Sequence, residues 1–329
     1  MIEFKKEIET SQFYDPSEDE LKDTSVEVRH DPLTGRTSRI LEKPLPMKEG
    51  ADMDKMEKGF CPFCPENIET VGARDNKVLN GEMMKEGEAT LLSNISPYAE
   101  YSLVIPLTKT HYLQLDEFKK EHFVNAFQLV QEYLRKLTEM KSEVYPTIIM
   151  NYLKPAGSSL THPHIQVMVT GTPFENQGRV LSSEERFYDE NGTSYWEELV
   201  KEERNGERFI YETDGFTWMT PFAPLGLEHV RGVCLEDFID LEDDYLKGMA
   251  QGIVNVLKGY HEMGKNSFNI SVLMSPLEDD RNRTVVDLVA RSNFDKYYWC
   301  DVFSLEKLFG EKSSNKTPED VAGYMKDIF

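Results

Sequence analysis

Basic residues are in short supply: 37 Lys and Arg face 59 Asp and Glu, a net charge of −22. A surface of that sign repels polyanions, so nucleic-acid binding through phosphate contacts would need a localised basic patch. None is visible, because the charges are dispersed along the chain as on an ordinary solvated surface. Long apolar runs are missing too: no stretch reaches the roughly 18 residues that would read as a membrane span. Residues 1–20 are charged and lack the apolar core of a secretory leader, which points to the cytoplasm. Cysteines number only 4, too few for a disulfide scaffold. Gly-rich phosphate loops of Walker or Rossmann spacing are also absent.

What is present is a chain of 329 residues, 39% of them hydrophobic, a length for two domains or one duplicated unit. Phe123, Phe127, Val130, Leu134 and Leu137 recur at helical spacing, with Asp116 as the candidate N-cap. Strand-like runs precede this helix at 101–107 and follow it at 145–153 and 162–170. The order returns in the second half: Leu246, Met249, Ile253, Val256 and Tyr260 mark a helix after Asp237, and runs 268–274 and 284–290 follow. Pairing Asp237 with Asp116, Phe268 with Thr147 and Arg283 with His162 gives one offset of 121 residues, the mark of an internal duplication. The boundary is placed near residue 172, giving units 1–172 and 173–329, with 173–208 a polar, Glu-rich connection containing helical stretches. Residues 1–24 are expected to be frayed. The fold class is α+β: antiparallel sheets with long helices packed on them.

The chemistry concentrates in residues 154–169. Strand alternation places His162, His164, Gln166 and Met168 on one face and Pro163, Ile165, Val167 and Val169 on the other. Pro163 cannot donate to a ladder, so this end lies at an edge, a bulge or a strand start. Gly157, Ser158 and Ser159 form a small-residue loop whose amides and hydroxyls can approach phosphate oxygens. A neutral imidazole is a competent nucleophile, its ordinary pKa being about 6.5. Cys61 and Cys64, in Cys-x-x-Cys spacing, read as half of a tetrahedral metal site with His111 and His162 as candidate partners, as a redox dithiol, or as chance. Cys234 and Cys300 read as buried small hydrophobes.

At these residues the chain resembles the galactose-1-phosphate uridylyltransferase family, a branch of the histidine-triad superfamily. The resemblance rests on residues 29–35 (Arg-His-Asp-Pro-Leu-Thr-Gly), Cys61-Pro-Phe-Cys-Pro-Glu-Asn67, Ser93-Asn94, His111 and His162-Pro-His-Ile-Gln166, in order over most of the chain. It implies a duplicated histidine-triad-like unit with half-barrel sheets. It implies one structural zinc held by Cys61, Cys64, His111 and His162 in the first half. It makes His164 the nucleophile that attacks the α-phosphorus of a nucleotide-sugar, with Gln166 holding phosphoryl oxygens and Ser159 contacting phosphate. Phe63, Asn94 and Asn151 match positions around the base and ribose, and a homodimer is the family's usual state.

The departures from the family are specific. Arg283 and Val285 stand where a second His-x-His is usual, so no second metal is expected. The segment Asp301-Val-Phe-Ser-Leu-Glu-Lys307 does not match the family's sugar-phosphate contact, and Ile165 replaces the usual Gly. Three functions are therefore expected in order. The first is a nucleotidyltransferase of carbohydrate metabolism, passing a nucleoside monophosphate from a nucleotide-sugar to a sugar-phosphate-like acceptor. The second is a phosphorylase or hydrolase of ADP-sugars or dinucleoside polyphosphates. The third is a non-catalytic, zinc-stabilised nucleotide-binding protein. Anionic substrates on an acidic protein require a locally positive recess, for which Arg29, Arg36, Arg39, Lys43 and Lys154 are the candidates.

Overall fold

A computed structural model describes residues 2–15, 18–42, 59–75, 77–141, 144–276, 283–295 and 300–329. Lys43, one of the candidate basic residues, lies outside them. The chain opens with β1 (Lys6–Asp15), β2 (Glu20–His30) and β3 (Thr37–Leu41), then the short helix α1 (Pro65–Val71). The first half continues through β4 (Met84–Glu86), β5 (Ala89–Ser93), β6 (Tyr101–Pro106), α2 (Lys120–Thr138), β7 (Tyr145–Tyr152) and β8 (His164–Thr170). Helices α3 (Glu175–Asn191) and α4 (Tyr195–Glu203) form the connection. The second half holds β9 (Phe209–Thr213), β10 (Phe216–Met219), β11 (Leu227–Cys234), α5 (Asp243–Glu262), β12 (Phe268–Met274) and β13 (Thr284–Ala290). The chain closes with α6 (Ser304–Phe309), β14 (Lys312–Ser314) and α7 (Pro318–Lys326).

Ten strands form one sheet in the order β4-β5-β6-β8-β7-β12-β13-β11-β10-β9. Read outward from the central β7–β12 pair, both halves use the same strand order, and the long helix of each follows its third strand from the edge. The helices start 123 residues apart, as do β7 and β12, while β8 and β13 start 120 apart. The two halves thus share one sheet, and β7 and β12 join them as antiparallel neighbours from Tyr152 and Phe268 to Thr147 and Leu273.

One face of this sheet carries the core. Ile148, Met150, Tyr152, Ile165, Val167 and Val169 of the first half, and Phe268, Ile270, Val272, Val286 and Leu288 of the second, pack against α2 and α5. These helices are amphipathic because Phe123, Phe127, Val130, Leu134 and Leu137, and likewise Leu246, Met249, Ile253, Val256 and Tyr260, return every three or four residues to the buried side. Both helices start later than their candidate caps: α2 begins after Lys119, and Asp116 sits in a 3-10 turn at Leu115–Glu117. Likewise Asp237 precedes a 3-10 turn, and α5 begins after Glu242.

The N-terminus corrects the expectation of a frayed segment. β1 and β2 pair antiparallel from Lys6–Arg29 to Asp15–Glu20, and β3 and β14 complete a four-stranded sheet. Cys234 is buried as expected, whereas Cys300 is exposed. None of the helices among the described residues is long and apolar enough to cross a membrane.

Candidate active site

The Cys61-Pro-Phe-Cys64 segment folds as a knuckle at the start of α1. Cys64 is the N-cap, Pro65 takes the first helical turn, where its missing N–H costs nothing, and the Asn67 amide donates to the Cys61 carbonyl at 2.8 Å. The knuckle faces His111, beyond β6, and His162, just before β8. The four ligand atoms lie within 4.8 Å of one another. His162 Nδ1 is 3.6 Å from each sulfur, and His111 Nδ1 is 3.3 Å from the Cys64 sulfur. A tetrahedral zinc with bonds of about 2.3 Å to sulfur and 2.0–2.1 Å to nitrogen separates its sulfur and nitrogen ligands by about 3.6 Å, so the cluster fits such an ion. Cys61, Cys64 and His162 are almost fully buried, and burial together with the neighbouring Cys64 pushes the Cys61 thiol up, a cost that a bound cation would remove. His162 Nε2 donates to the Thr108 carbonyl at 2.7 Å, which turns Nδ1 toward the sulfurs.

His162 thereby anchors the start of β8. Pro163 stands immediately before the strand, as its missing N–H requires, and its carbonyl accepts from Leu107. His164 Nδ1 lies 2.8 Å from the His162 carbonyl; a carbonyl only accepts, so Nδ1 carries the proton and Nε2 holds the lone pair. Burial pushes this imidazole below its ordinary value, against a smaller opposing effect of the carbonyl, which favours the neutral, nucleophilic form. The Phe63 ring packs edge-on against His164 with centroids 5.2 Å apart. Gln166, half-buried, follows two residues along the same face. Asn151 also joins the cluster: Met150 pairs with Ile165, so Asn151 and His164 are neighbours across β7 and β8 on the open face.

The loop between β7 and His162 is organised differently from expectation. Leu153 holds a left-handed φ of 65°, a backbone strain of the kind that collects at functional sites. Gly157 (φ 89°) then closes a 3-10 turn. The Gly157 and Ser158 amides donate to the Lys154 and Leu153 carbonyls, and the Ser158 hydroxyl bonds to Leu160. These two amides are spent inside the loop, and Ser159, like Gly157, is exposed. Asn94 shares the open face but lies beside Ser102, which pairs with Met168. That is four residues, about 13 Å, along β8 from His164. Its side chain accepts from the Ser96 amide.

The basic candidates divide. Arg29 pairs with Glu27 and Glu319, Arg36 donates to the Ala223 and Pro224 carbonyls, and Arg39 pairs with Glu9 and Glu311. All three brace the N-terminal sheet through partners outside the His164 cluster. Lys154 alone of the described candidates stands in the loop between β7 and β8, its ammonium 5.9 Å from the Phe294 ring centroid. Residues 29–35 span the end of β2 and the turn toward β3, where Asp31 accepts from the Thr34 amide and hydroxyl.

In the second half the corresponding face is closed. Val285 is 1% exposed and packs with Tyr195, Trp196, Leu199 and Val200 of α4 and Met219 and Val233 of the sheet. Arg283 lines a cavity of about 320 Å³ with Tyr145, Tyr188 and Trp196. This cavity meets β7 at Tyr145, about 20 Å from the Asn151 end, and takes no part in the His164 cluster. Sequence reasoning missed Asn269 of β12, opposite Asn151 in register, and Arg291, just beyond β13, which donates to Asn269. No motif marked them, and only the β7–β12 pairing brings them to this end of the sheet.

No family model matches the sequence. It is 43% identical over 331 residues to an uncharacterized protein of Archaeoglobus fulgidus, covering 100% of this chain and 99% of that one. A galactose-1-phosphate uridylyltransferase of Neurospora crassa is 26% identical over 146 residues, 41% of this chain and 36% of that protein. Among solved structures, an Arabidopsis thaliana ADP-glucose phosphorylase with bound ADP-glucose superposes with a TM-score of 0.72 at 17% identity, over 92% of this chain and 99% of that one. A uridylyltransferase structure superposes with a TM-score of 0.68 at 19% identity, over 92% and 97% of the two chains. The chain therefore belongs to one family with the Archaeoglobus fulgidus protein, and its fold is that of the galactose-1-phosphate uridylyltransferase-like proteins.

Proposed function

We propose that the protein is a nucleotidyltransferase that works through a covalent nucleotidyl-His164 intermediate. The observation that carries the proposal is the His164 imidazole, held by Nδ1 on the His162 carbonyl, so that Nε2 keeps the lone pair and can act as the nucleophile. Nε2 attacks the α-phosphorus of a nucleotide-sugar, a P–N bond forms, and the bond from phosphorus to the bridging oxygen breaks, releasing the sugar phosphate. A second phosphate group then attacks the same phosphorus, and His164 leaves as neutral imidazole. Gln166 and exposed Ser159 offer hydrogen bonds to the phosphoryl oxygens, Lys154 supplies the local positive charge, and Phe63 holds the His164 ring. Asn94, Gly157 and Ser158 shape the surroundings of the nucleotide, Asn94 at a distance and the other two through the loop's backbone.

Cys61, Cys64, His111 and His162 would hold one zinc, whose contribution is to fix His162 and with it the carbonyl that orients His164. Units 1–172 and 173–329 are read as duplicated halves, the first carrying the chemistry. A cytoplasmic homodimer acting on nucleotide-sugars within carbohydrate metabolism completes the reading.

A second reading, phosphorolysis with inorganic phosphate as acceptor, is favoured by one observation. Asp301, in the segment that departs from the family's sugar-phosphate contact, accepts both arms of Arg291, so this segment braces the fold. Product analysis with ADP-glucose or UDP-glucose separates the readings. Nucleoside diphosphate formed with inorganic phosphate supports phosphorolysis, and nucleotide exchange onto a hexose 1-phosphate supports transfer. Tight nucleotide binding without any product would leave only a binding protein.

A further inference from the structure

Beside His164, a chain of polar side chains crosses the seam between the two halves. Arg291 forks onto Asp301, with Nε to Oδ2 at 2.7 Å and Nη2 to Oδ1 at 3.0 Å, and its Nη1 donates to the Asn269 carbonyl oxygen at 2.6 Å. A guanidinium has no acceptor, so Asn269 must turn its oxygen toward Arg291. Its amide nitrogen then faces the other way, donating to Asn151 Oδ1 at 2.6 Å and to the Ala156 carbonyl at 2.9 Å. A backbone carbonyl only accepts, so two independent partners set the same orientation. Asn151 is left with its NH2 group, two N–H donors, as the end available to a ligand.

That end lies on the open face, one strand from His164, with the two Cα atoms about 4.5–5.5 Å apart. A fixed donor suits a ligand atom that can only accept. Nonbridging phosphoryl oxygens are such atoms, whereas a hydroxyl could satisfy the amide in either orientation.

We infer that Asn269 is a positioning residue: the Asp301–Arg291–Asn269 chain of the second half holds the Asn151 amide so that it donates to a phosphoryl oxygen of the substrate. The inference rests on the phosphoryl-transfer reading of His164. Donors fixed in advance where negative charge grows stabilise a transition state more than donors that must reorient. The same Asn269 nitrogen, through Ala156, ties the loop that leads into His162 to this chain.

The test is a double-mutant cycle on the full-length protein, following nucleotide release from ADP-glucose and UDP-glucose with phosphate, with melting temperature as the check on folding. N269D keeps the bond to Arg291 but cannot donate to Asn151 or Ala156. N151A is expected to lower kcat about 100-fold and N269D about 10-fold or more, with KM within about 3-fold. In the N151A background, N269D should cost clearly less than it does in the wild type, because only the part that runs through the Ala156 carbonyl remains. R291K, which retains a donor, should stay within about 3-fold of wild type, whereas R291M should fall between wild type and N269D, since the Ala156 carbonyl still holds the Asn269 amide. Fully additive losses, or an N269D enzyme with unchanged kcat, overturn the inference. Neutron diffraction on wild-type crystals decides the same point without turnover: deuterons on the Asn151 nitrogen, directed away from Asn269, support it, and an Asn151 nitrogen facing Asn269 overturns it. A wild type that releases no nucleotide from either donor counts against the proposed function, while the neutron map still decides the amide.

Discussion

Replacing Cys64 by Ser tests the metal centre and its mechanical role together. Cys64 contacts both histidines of the cluster, so an ion held there cross-links the knuckle to His111, 47 residues away, and to His162, 98 residues away. Closing loops of that size lowers the entropy of the unfolded chain by the equivalent of about 4–5 kcal/mol on the loop-closure relation used for covalent cross-links. At about 2.1 cal/mol/K of unfolding entropy per residue, a chain of 329 residues loses about 6 °C in melting temperature for that change. Metal analysis with calorimetry on wild type and Cys64→Ser is the assay. We expect one zinc per chain in the wild type, well under one in the variant, and a fall of about 6 °C. Full metal content in the variant, or a melting temperature within about 1 °C of wild type, would refute the reasoning.

The Arg29–Glu319 pair should make stability sensitive to acid. Burial raises the Glu319 carboxyl, but the bonds and charge of Arg29 outweigh it and hold the group at about 2, against an ordinary 4.5. A depressed carboxyl contributes stability above its unfolded value and loses it as pH falls through its folded value. Denaturant titrations should therefore show up to about 3 kcal/mol disappearing between roughly pH 4.5 and 2, less some screening, and Glu319→Gln should flatten that slope. Gly252→Ala should cost about 2 kcal/mol or more, since a Cβ there would sit 2.0 Å from the buried Trp218 indole; an unchanged urea midpoint would count against the packing. Lys154→Ala should raise KM for the nucleotide donor about 10-fold with kcat little changed, and unaltered KM would place the ammonium outside the site.

Much of the first half was legible because its periods are clean. Alternation through residues 164–169 separates His164 and Gln166 from Ile165, Val167 and Val169, and the structure buries the second set against α2. The metal cluster was legible through Cys-x-x-Cys and a His at the mouth of a strand. Residues 6–15 were not, because the described side chains of β1 are exposed and its Thr, Ser, Gln and Glu residues show no hydrophobic alternation to read. Helix starts slipped by several residues because Asp116 lies within, and Asp237 caps, a short 3-10 turn ahead of the helix. The phosphate-facing amides of Gly157 and Ser158 were misread, since composition does not show which backbone donors the loop itself consumes. Arg29, Arg36 and Arg39 looked like substrate cations, but their carboxylate and carbonyl partners come from segments far away in sequence. The same long-range pairing hid Asn269 and Arg291.

The central claim is that His164 becomes covalently nucleotidylated. Intact-protein mass spectrometry after brief mixing with ADP-glucose or UDP-glucose, followed by peptide mapping, tests it most directly. The expected result is an added nucleoside monophosphate on the peptide carrying His164 and its loss in His164→Ala. No adduct with any nucleotide-sugar, or an adduct that persists in His164→Ala, would contradict it.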